Sequence, residues 1–296
     1  MPDRSGKLAQ DVTLPDPTVP QTPKPLDRQI GEALPRLVAV MRRLLAPDGC
    51  PWDRQQTADS LKRYVLEEAC EVIDAIEEKD PKHLREELGD LLLQVVFQAE
   101  LARRDGDFGP DDVVEGIVEK LVRRHPHVFG SPLEKGKAKD AAEVLQNWEQ
   151  LKLKEKGERG VLEGIPRSLP SLVRAQRVGE KVSRVGFDWP TIDGSRRKVD
   201  EELGELDEAL AQGRIEAIEE ELGDVFFALV NLARHVKTND GGGIDAEGAL
   251  RRTTDKFIAR FAEVERRVKG ELGGFATKPS LEQMDRFWEE AKKKES

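Results

Sequence analysis

The chain repeats itself after about 134 residues, and this constrains its fold more than any other feature. The segment LPRLVAVMRRL from Leu34 is echoed by LPSLVRAQRVGEKV from Leu169. The segment EELGDLLLQVVF from Glu86 is likewise echoed by EELGDVFFALV from Glu220. A period of this length is that of a whole domain, and a chain of 296 residues is long enough for two. The sequence therefore predicts two copies of one domain.

Composition indicates where the copies begin and end. Residues 1–27 are rich in proline and polar residues with no apolar period, which predicts a disordered tail. The segment KGERGVLEGIPRS, residues 156–168, contains glycines and a proline and is typical of a connector. We therefore expect a first copy over residues 28–155 and a second copy over residues 169–296.

Each copy has the apolar pattern of helices. Apolar residues recur at helical spacing, as in residues 113–122, and no alternating run typical of a strand is present. Short links at Asp80–Pro81 and Gln212–Gly213 are expected to fold neighbouring helices back antiparallel. Ser195 and Asp245 are expected to cap helices of the second copy. The predicted fold class is all-α, with each copy a bundle of about four helices.

Charge and composition exclude several classes of protein. The net charge of −10 repels the phosphates of DNA and RNA, so we expect no nucleic-acid partner. No run approaches the length of a membrane-spanning helix, and the first ten residues lack the pattern of a secretion signal. Cys50 and Cys70 are too few for a disulfide framework and are typical of reduced thiols. These features predict a cytoplasmic protein.

Four carboxylates recur at one spacing in both copies. A Glu pair three residues apart is followed, after fifteen residues, by a Glu and an Asp three residues apart. Residues three apart lie on one helix face, and an antiparallel hairpin brings the two pairs together. Crowded carboxylates at an apolar interface repel, and a hard divalent cation removes that penalty, which predicts Mg²⁺, or else Mn²⁺, as the cofactor. The predicted metal ligands are Glu68, Glu71, Glu87 and Asp90 in the first copy and Glu202, Glu205, Glu221 and Asp224 in the second.

Solvated glutamates are the alternative interpretation for either copy alone, since the chain has 58 acidic residues. Recurrence in matching apolar surroundings favours a metal site, although duplication by itself also preserves an inert pattern. Gly89 and Gly223 lie between the Glu and the Asp of each second pair. A glycine inside a helix costs about 1 kcal/mol relative to alanine. Its presence indicates either close packing of the helices or room for a ligand.

Basic residues at helical spacing supply candidate partners for a polyphosphate. Lys120 and Arg124 are four residues apart in the first copy, as are Lys256 and Arg260 in the second. This spacing presents both cations on one face of a helix, where they can bind phosphate oxygens. Ordinary surface charge is the alternative for such a pair when it stands alone.

Four tryptophans fall in matching positions. Trp148 and Trp288 follow the basic pairs and are candidates to cover a nucleobase, with a structural role as the alternative. Trp52 and Trp189 each adjoin an aspartate, and we assign them to capping and to the core.

These motifs resemble a known family. The pattern EExxE, fifteen residues, then ExxD, from Glu67 to Asp90, is similar to that of the MazG nucleoside triphosphate pyrophosphohydrolases, all-α enzymes related to dimeric dUTPases. The segments GCPWDRQQT, RRHPHVFG, VGFDW and VNLARH resemble that family too, and the likeness extends over residues 28–296. The resemblance implies a homodimer that hydrolyses nucleoside triphosphates to monophosphates and pyrophosphate with Mg²⁺. It also implies broad base specificity and a role in cleansing the nucleotide pool or in stress survival.

The resemblance further implies which residues contact the nucleotide. The second copy is the better supported catalytic one; the first is often silent in tandem members, and its complete acidic set leaves its activity open. Some relatives carry a lysine four residues before the ExxD glutamate, where this chain has His83 and Ala217, with Arg214 as the substitute. The implied contacts are Lys198, Glu201, Lys256, Arg260 and Trp288 in the second copy and Lys120, Arg124 and Trp148 in the first.

The charges lead to a mechanistic hypothesis. The carboxylates and their metal are expected to activate a water for attack at the α–β phosphate linkage. We expect Glu201, and Glu67 in the first copy, to be the catalytic residue that orients this water or accepts its proton. Lys256 and Arg260 are expected to stabilise the leaving pyrophosphate. Two other functions stay open: a narrower dUTPase-like enzyme, and a regulatory or scaffolding dimer that binds nucleotides without turnover.

Overall fold

The computed structural model describes residues 24–25, 28–29, 31–131, 144, 160–238 and 242–294. Contacts between residues divide the chain into two compact units, Met1–Glu155 and Lys156–Ser296, called unit 1 and unit 2 below. Trp148, most of the predicted tail and the start of the predicted connector lie outside the described residues.

Unit 1 is organised around one long helical hairpin. Its described helices are α1 (Leu34–Leu45), α2 (Pro51–Gln55), α3 (Lys62–Glu78), α4 (Pro81–Asp105), α5 (Pro110–Arg124) and α6 (Pro126–Phe129). Helices α3 and α4 form the hairpin, and α1 packs on α4. Asp80 caps α4, since its carboxylate accepts a hydrogen bond of 2.8 Å from the backbone N–H of Lys82, and Pro81 begins the helix. The predicted turn at Asp80–Pro81 is confirmed.

A small apolar cluster and one buried ion pair hold α1 against α4. Met41, Phe97 and Leu101 belong to the cluster and are almost completely buried. The carboxylate of Glu100 beside them is fully buried and accepts hydrogen bonds from Arg42 at 2.8 Å and Arg103 at 2.6 Å. A buried charge is tolerated when cations pair with it in this way, so the ion pair fixes how the two helices pack.

Unit 2 repeats the hairpin. Its described helices are α7 (Ser171–Ser183), α8 (Ile192–Gln212), α9 (Ile215–His235), α10 (Ala246–Leu272) and α11 (Leu281–Lys294), with a 3₁₀ turn at Phe275–Thr277. Helices α8 and α9 form the hairpin, α7 packs on α9, and α10 packs on α11. Gly213 ends α8 with a φ of +67°, a conformation that glycine adopts without strain. The turn predicted at Gln212–Gly213 is confirmed.

The predicted all-α fold class is confirmed. Among the described residues the β-structure amounts to one isolated antiparallel bridge, between Lys237 and Gly243. None of the helices in this part of the chain has the length and apolar character needed to cross a membrane.

One predicted helix cap is wrong. Helix α8 begins at Ile192, so Ser195 lies inside its first turn, where its buried hydroxyl donates to the Ile192 carbonyl at 2.9 Å. In the same first turn Trp189 packs against Gly194, where an added Cβ would lie 2.5 Å from the indole. Asp245 does precede α10 at the N-cap position, but its side chain makes no capping hydrogen bond.

The assignment of two tryptophans to the core is also wrong. Trp52 is 51% exposed and Trp189 is 36% exposed. Each packs edge-on against a single ring, Trp52 against Tyr64 at 6.1 Å and Trp189 against His235 at 6.0 Å between ring centroids. Both indoles therefore flank their hairpins instead of filling an interior.

Candidate functional site

Three carboxylates meet across the hairpin of unit 1. Glu68 and Glu71 project from α3 and Glu87 from α4, and one oxygen of each lies within 4.8 Å of the other two. Burial, followed by the charges of Asp90 and Glu71, raises the pKa of Glu68 above its ordinary value. Asp90 is exposed, and its oxygens lie outside this group. The structure thus brings three of the four predicted ligands together and places the charge of the fourth nearby.

A histidine contacts one carboxylate of this cluster. His83 lies within 3.1 Å of the Glu87 carboxylate through Nε2 and within 2.7 Å of Glu78 through Nδ1. The hydrogen bond to Glu78, with smaller contributions from neighbouring carboxylates, raises the pKa of His83. His83 occupies the position where some relatives carry a lysine, and its spacing of four residues from Glu87 on one helix could have predicted this contact.

The hairpin of unit 2 forms the same arrangement. Glu202 and Glu205 on α8 and Glu221 on α9 again each place one oxygen within 4.8 Å of the others. Glu202 is only 6% exposed. A hydrogen bond between the carboxyl groups of Glu205 and Glu202 is the main cause that raises the pKa of Glu205. Asp224, like its counterpart in unit 1, is exposed and lies outside the group.

Lys198 brings a positive charge into the cluster of unit 2. Its ammonium group lies 2.7 Å from Glu201 and 2.8 Å from Glu202. These two hydrogen bonds raise the pKa of Lys198, so its ammonium form is stabilised. The lysine precedes Glu202 by four residues, a helical spacing at which opposite charges meet. That spacing could have predicted the pair with Glu202, which the sequence analysis missed.

A cation and an aromatic ring are adjacent at the junction of α10 and α11. The guanidinium carbon of Arg260 lies 5.8 Å from the ring centroid of Trp288, a distance at which a cation is attracted to a π face. Phe257 packs 4.7 Å from the same indole. Lys256 is exposed one turn before Arg260. Three of the residues predicted to contact the nucleotide are therefore arranged along one stretch of this unit.

The remaining described candidate residues are a basic pair on α5 and one glutamate beside each cluster. Lys120 and Arg124 are half-buried and one turn apart on α5, as predicted for a basic pair. Glu67 and Glu201 are exposed and adjoin the first carboxylate of each cluster.

The two mid-helix glycines do not mark close helix packing. A Cβ added at Gly89 or at Gly223 would meet no described atom within 4 Å. Close packing is thus excluded for the described residues. The other interpretation, that the two glycines leave room for a ligand beside the carboxylates, stays a prediction.

The fold and the site together define a class of protein. Helical hairpins that gather carboxylates at one point suit a hard divalent cation, which in enzymes neutralises and polarises phosphate groups. The family model of the MazG nucleotide pyrophosphohydrolase domain matches the chain twice, over residues 56–129 and 192–264. The chain belongs to this family and is an enzyme of its class. The predicted family and enzyme class are confirmed.

Similar proteins extend over most of the chain. A nucleoside triphosphate pyrophosphohydrolase of Escherichia coli (strain K12) is 44% identical over 266 residues, which cover 88% of this chain and 97% of that protein. The nucleoside triphosphate pyrophosphohydrolase/pyrophosphatase MazG of Thermotoga maritima is 41% identical over 90% of this chain and 98% of its own length. A nucleoside triphosphate pyrophosphohydrolase of Mycobacterium tuberculosis is 38% identical over 54% of this chain and 48% of that protein.

Proposed function

We propose that the chain hydrolyses nucleoside triphosphates with several different bases to nucleoside monophosphates and pyrophosphate, with Mg²⁺ as its cofactor. The role that follows is cleansing of the nucleotide pool or a stress response. The observation that carries the proposal is the acidic cluster found at the same register in both hairpins, with oxygens within 4.8 Å in each. Relatives named for this activity support it.

The donor set fits a hard divalent cation. The raised pKa values of Glu68 and Glu205 indicate that the clustered carboxyl groups disfavour one another's charged forms. A divalent cation favours the charged forms, and all-oxygen ligation suits Mg²⁺, with Mn²⁺ as the alternative. The proposed ligands are Glu202, Glu205, Glu221 and Asp224 in unit 2 and Glu68, Glu71, Glu87 and Asp90 in unit 1.

Basic and aromatic side chains hold the rest of the nucleotide. Lys256 and Arg260 bind the phosphates, and Trp288 covers the base. The short distance between Arg260 and Trp288 supports this division, since one nucleotide then contacts both. Lys198 contacts the phosphates from the side of the acidic cluster. In unit 1 the corresponding phosphate-binding residues are Lys120 and Arg124, and Trp148 matches Trp288 in sequence.

The side chains of the site divide the chemical work. Bound magnesium supplies positive charge that polarises the phosphate oxygens. Glu201, or Glu67 in unit 1, accepts the proton of a water whose oxygen bonds to phosphorus. The α–β anhydride bond breaks, and the electron pair leaves with pyrophosphate. Lys256 and Arg260 stabilise the charge that develops on this leaving group.

We further propose that the enzyme is a homodimer. On the second helix of each hairpin, three of the exposed large apolar residues form a stripe at helical spacing, in register between the units, and water-exposed stripes of this kind are typical of protein interfaces. A second copy of the chain, which carries the same stripes, is the partner that would bury both of them. The exposed residues are Leu88, Leu92 and Val95 on α4 and Leu222, Phe226 and Leu229 on α9.

The proposed division of labour follows the two units. Residues 28–155 form the first MazG-like domain, residues 156–168 connect it to the second, and residues 169–296 form the main catalytic domain. The substrates and the two reduced thiols, Cys50 and Cys70, suit the cytoplasm.

Release of pyrophosphate tests the proposal. The full chain is incubated with ATP, GTP, CTP or UTP, with Mg²⁺ or with a chelator. Pyrophosphate is expected from all four triphosphates with Mg²⁺ and from none with the chelator. Glu221→Gln is expected to abolish release in unit 2 without change in helix content, whereas Glu220→Gln, an exposed neighbour outside the cluster, serves as the matched control.

Three outcomes contradict parts of the proposal. Equal turnover in Glu221→Gln and Glu220→Gln would reject the assigned metal site. Binding of nucleotides without release would favour the regulatory dimer. Release from a single triphosphate would favour the narrower, dUTPase-like enzyme.

A further inference from the structure

Unit 1 contains a cavity of about 120 Å³ beside its acidic cluster. Its walls include the aromatic rings of Trp52, Tyr64 and Phe97 and four apolar side chains. Asp53 and Gln94 are its two polar lining residues. An apolar, ring-lined cavity with few polar groups is the usual form of a small-ligand site.

Gln94 is the unusual residue of this cavity. It is 7% exposed, and its buried Oε1 has no hydrogen-bond partner among the residues that the structure describes. A buried amide oxygen without a partner is unfavourable, and a leucine would fill the same space without that penalty. The amide therefore points to a polar ligand that completes its hydrogen bonds.

The cavity lies within reach of the acidic cluster. Tyr64 precedes Glu68 by four residues on α3, which is about 6 Å along the helix axis. Gln94 follows Glu87 by seven residues on α4, or about 10 Å. Because α3 and α4 are antiparallel, both steps run in the same direction from the cluster. A nucleotide whose phosphates lie on the carboxylates can therefore extend its sugar and base toward this cavity.

We propose that this cavity is the base subsite of unit 1 and that it favours a single-ring base, so that unit 1 binds pyrimidine nucleoside triphosphates more tightly than purine ones. The inference rests on the function proposed above for the acidic cluster. A protein cavity of about 150 Å³ accepts benzene, so one of about 120 Å³ is closer in size to one six-membered ring than to two fused rings.

Hydrogen bonding and stacking agree with a pyrimidine. The edge of a pyrimidine carries a donor or acceptor next to carbonyl oxygens, and the amide of Gln94 offers both an N–H donor and an oxygen acceptor. A half-turn of that amide exchanges the two with little steric change. The rings of Trp52 and Tyr64 supply faces on which a base stacks.

The site belongs to unit 1 alone. At the positions 134 residues further on, Tyr64 is replaced by Lys198 and Gln94 by Ala228. Unit 2 therefore lacks one ring and the amide, and the pyrimidine preference is confined to unit 1.

The test uses the full chain with unit 2 disabled by Glu221→Gln and Arg260→Met, so that binding reports unit 1. Calorimetric titrations with Mg²⁺ compare UTP, CTP, ATP and inorganic tripolyphosphate. We expect UTP and CTP to bind at least about tenfold more tightly than ATP, the equivalent of 1.4 kcal/mol. Gln94→Leu is expected to remove this preference and leave tripolyphosphate binding unchanged.

Matched variants separate the amide from general packing. Gln98→Leu, one turn further along α4, removes an amide that donates to the Ala58 carbonyl at 3.3 Å, and it should keep the pyrimidine preference. Gln94→Leu should unfold at the same or a higher temperature than its parent, because it removes a buried amide oxygen that has no hydrogen-bond partner among the described residues. Trp52→Ala, at a half-exposed position, should weaken UTP and CTP binding without loss of the fold.

The outcomes distinguish this inference from the function on which it rests. Tripolyphosphate binding without pyrimidine preference, or a preference that survives both Gln94→Leu and Trp52→Ala, overturns the base subsite and leaves the acidic cluster as proposed. A lowered unfolding temperature in Gln94→Leu also overturns it, because the amide would then be paired within the protein. Failure to bind both tripolyphosphate and nucleotides overturns the proposed phosphate site of unit 1 together with the inference.

Discussion

The two acidic clusters have matching carboxylates but different surroundings. One turn before the first carboxylate, unit 2 has Lys198, whose ammonium group lies 2.8 Å from Glu202, while unit 1 has Tyr64 in the wall of a cavity. In unit 1 the cluster is instead approached from α4 by His83, 3.1 Å from Glu87. Duplication has kept the carboxylate geometry, and the residues around it have diverged.

This difference separates two tasks of a nucleotide site. A permanently charged lysine beside the carboxylates stabilises phosphate groups and offsets the charge of the nearly buried Glu202. A tyrosine at the same register offers no charge and adds apolar, aromatic surface for a base. We infer that unit 2 is specialised for the phosphates and their hydrolysis, and unit 1 for selection of the base.

The largest expected effect comes from equivalent substitutions of one carboxylate in each unit. Glu205→Gln is expected to lower pyrophosphate release by roughly 1,000-fold, because a metal centre contributes several kcal/mol to the stabilisation of the transition state. Glu71→Gln, 134 residues earlier, is expected to change total turnover by less than about twofold. Steady-state kcat with ATP and Mg²⁺ measures both.

The matched control for this pair is Glu208→Gln, an exposed position on α8 outside the cluster, which should retain full turnover. Similar losses in Glu205→Gln and Glu71→Gln would show that the units share catalysis. Such a result would contradict the division of labour described above.

Local patterns were sufficient to predict most of the fold. The carboxylate spacing, the glycine at Gly213 and the Asp80–Pro81 cap each depend on residues a few positions apart, and short-range rules describe such features well. The same rules place Lys198 beside Glu202. Both hairpins and the convergence of three carboxylates in each could therefore be read from the sequence.

Features that depend on distant contacts could not be predicted in this way. The exposure of Trp52 and the cavity around Gln94 depend on how several helices come together. Sequence periodicity carries no information about such tertiary contacts. One local feature was missed as well: Ser195 is of a residue type that caps helices, yet α8 begins three residues before it.

An intermediate effect is expected from the arginine of each hairpin that hydrogen-bonds the segment preceding the hairpin. Loss of these hydrogen bonds should lower the free energy of unfolding. In unit 2 both terminal nitrogens of Arg234 lie 2.7 Å from Asp188. Asp188→Asn should lower the free energy of unfolding of this unit by about 2 kcal/mol near neutral pH, as is typical of hydrogen bonds to charged groups. In unit 1, Arg104 donates instead to the backbone carbonyls of Arg54 and Gln56.

The cost of Asp188→Asn should depend on pH. The hydrogen bonds from Arg234 lower the pKa of Asp188 below its ordinary value, so the folded protein binds this proton more weakly than the unfolded chain does. The stabilisation is therefore complete above the unfolded pKa and is lost as the pH falls through the lower folded pKa. Arg104→Met should have a cost that depends less on pH, because two of its three acceptors are carbonyl oxygens and only the third, the exposed Asp105 at 3.2 Å, is a carboxylate.

Urea denaturation of the two variants between about pH 3 and pH 7 measures this contrast. A cost of Asp188→Asn that stays constant over this range would contradict the assigned ion pair. A cost of Arg104→Met that depends on pH as strongly as that of Asp188→Asn would contradict the comparison between the units.

The smallest expected effect concerns the glycine beside each cluster. A Cβ at Gly89 or Gly223 meets no described atom within 4 Å, so alanine should stabilise either helix by about 0.5–1 kcal/mol. If the open space at Gly223 accommodates substrate, Gly223→Ala should also lower kcat/KM about two- to fivefold, a change below about 1 kcal/mol. Gly89→Ala should leave it unchanged, because unit 1 contributes little to hydrolysis. If both variants gain stability and Gly223→Ala keeps full activity, neither glycine makes room for a ligand. The contrast between the units would then depend on Lys198 and Tyr64 alone.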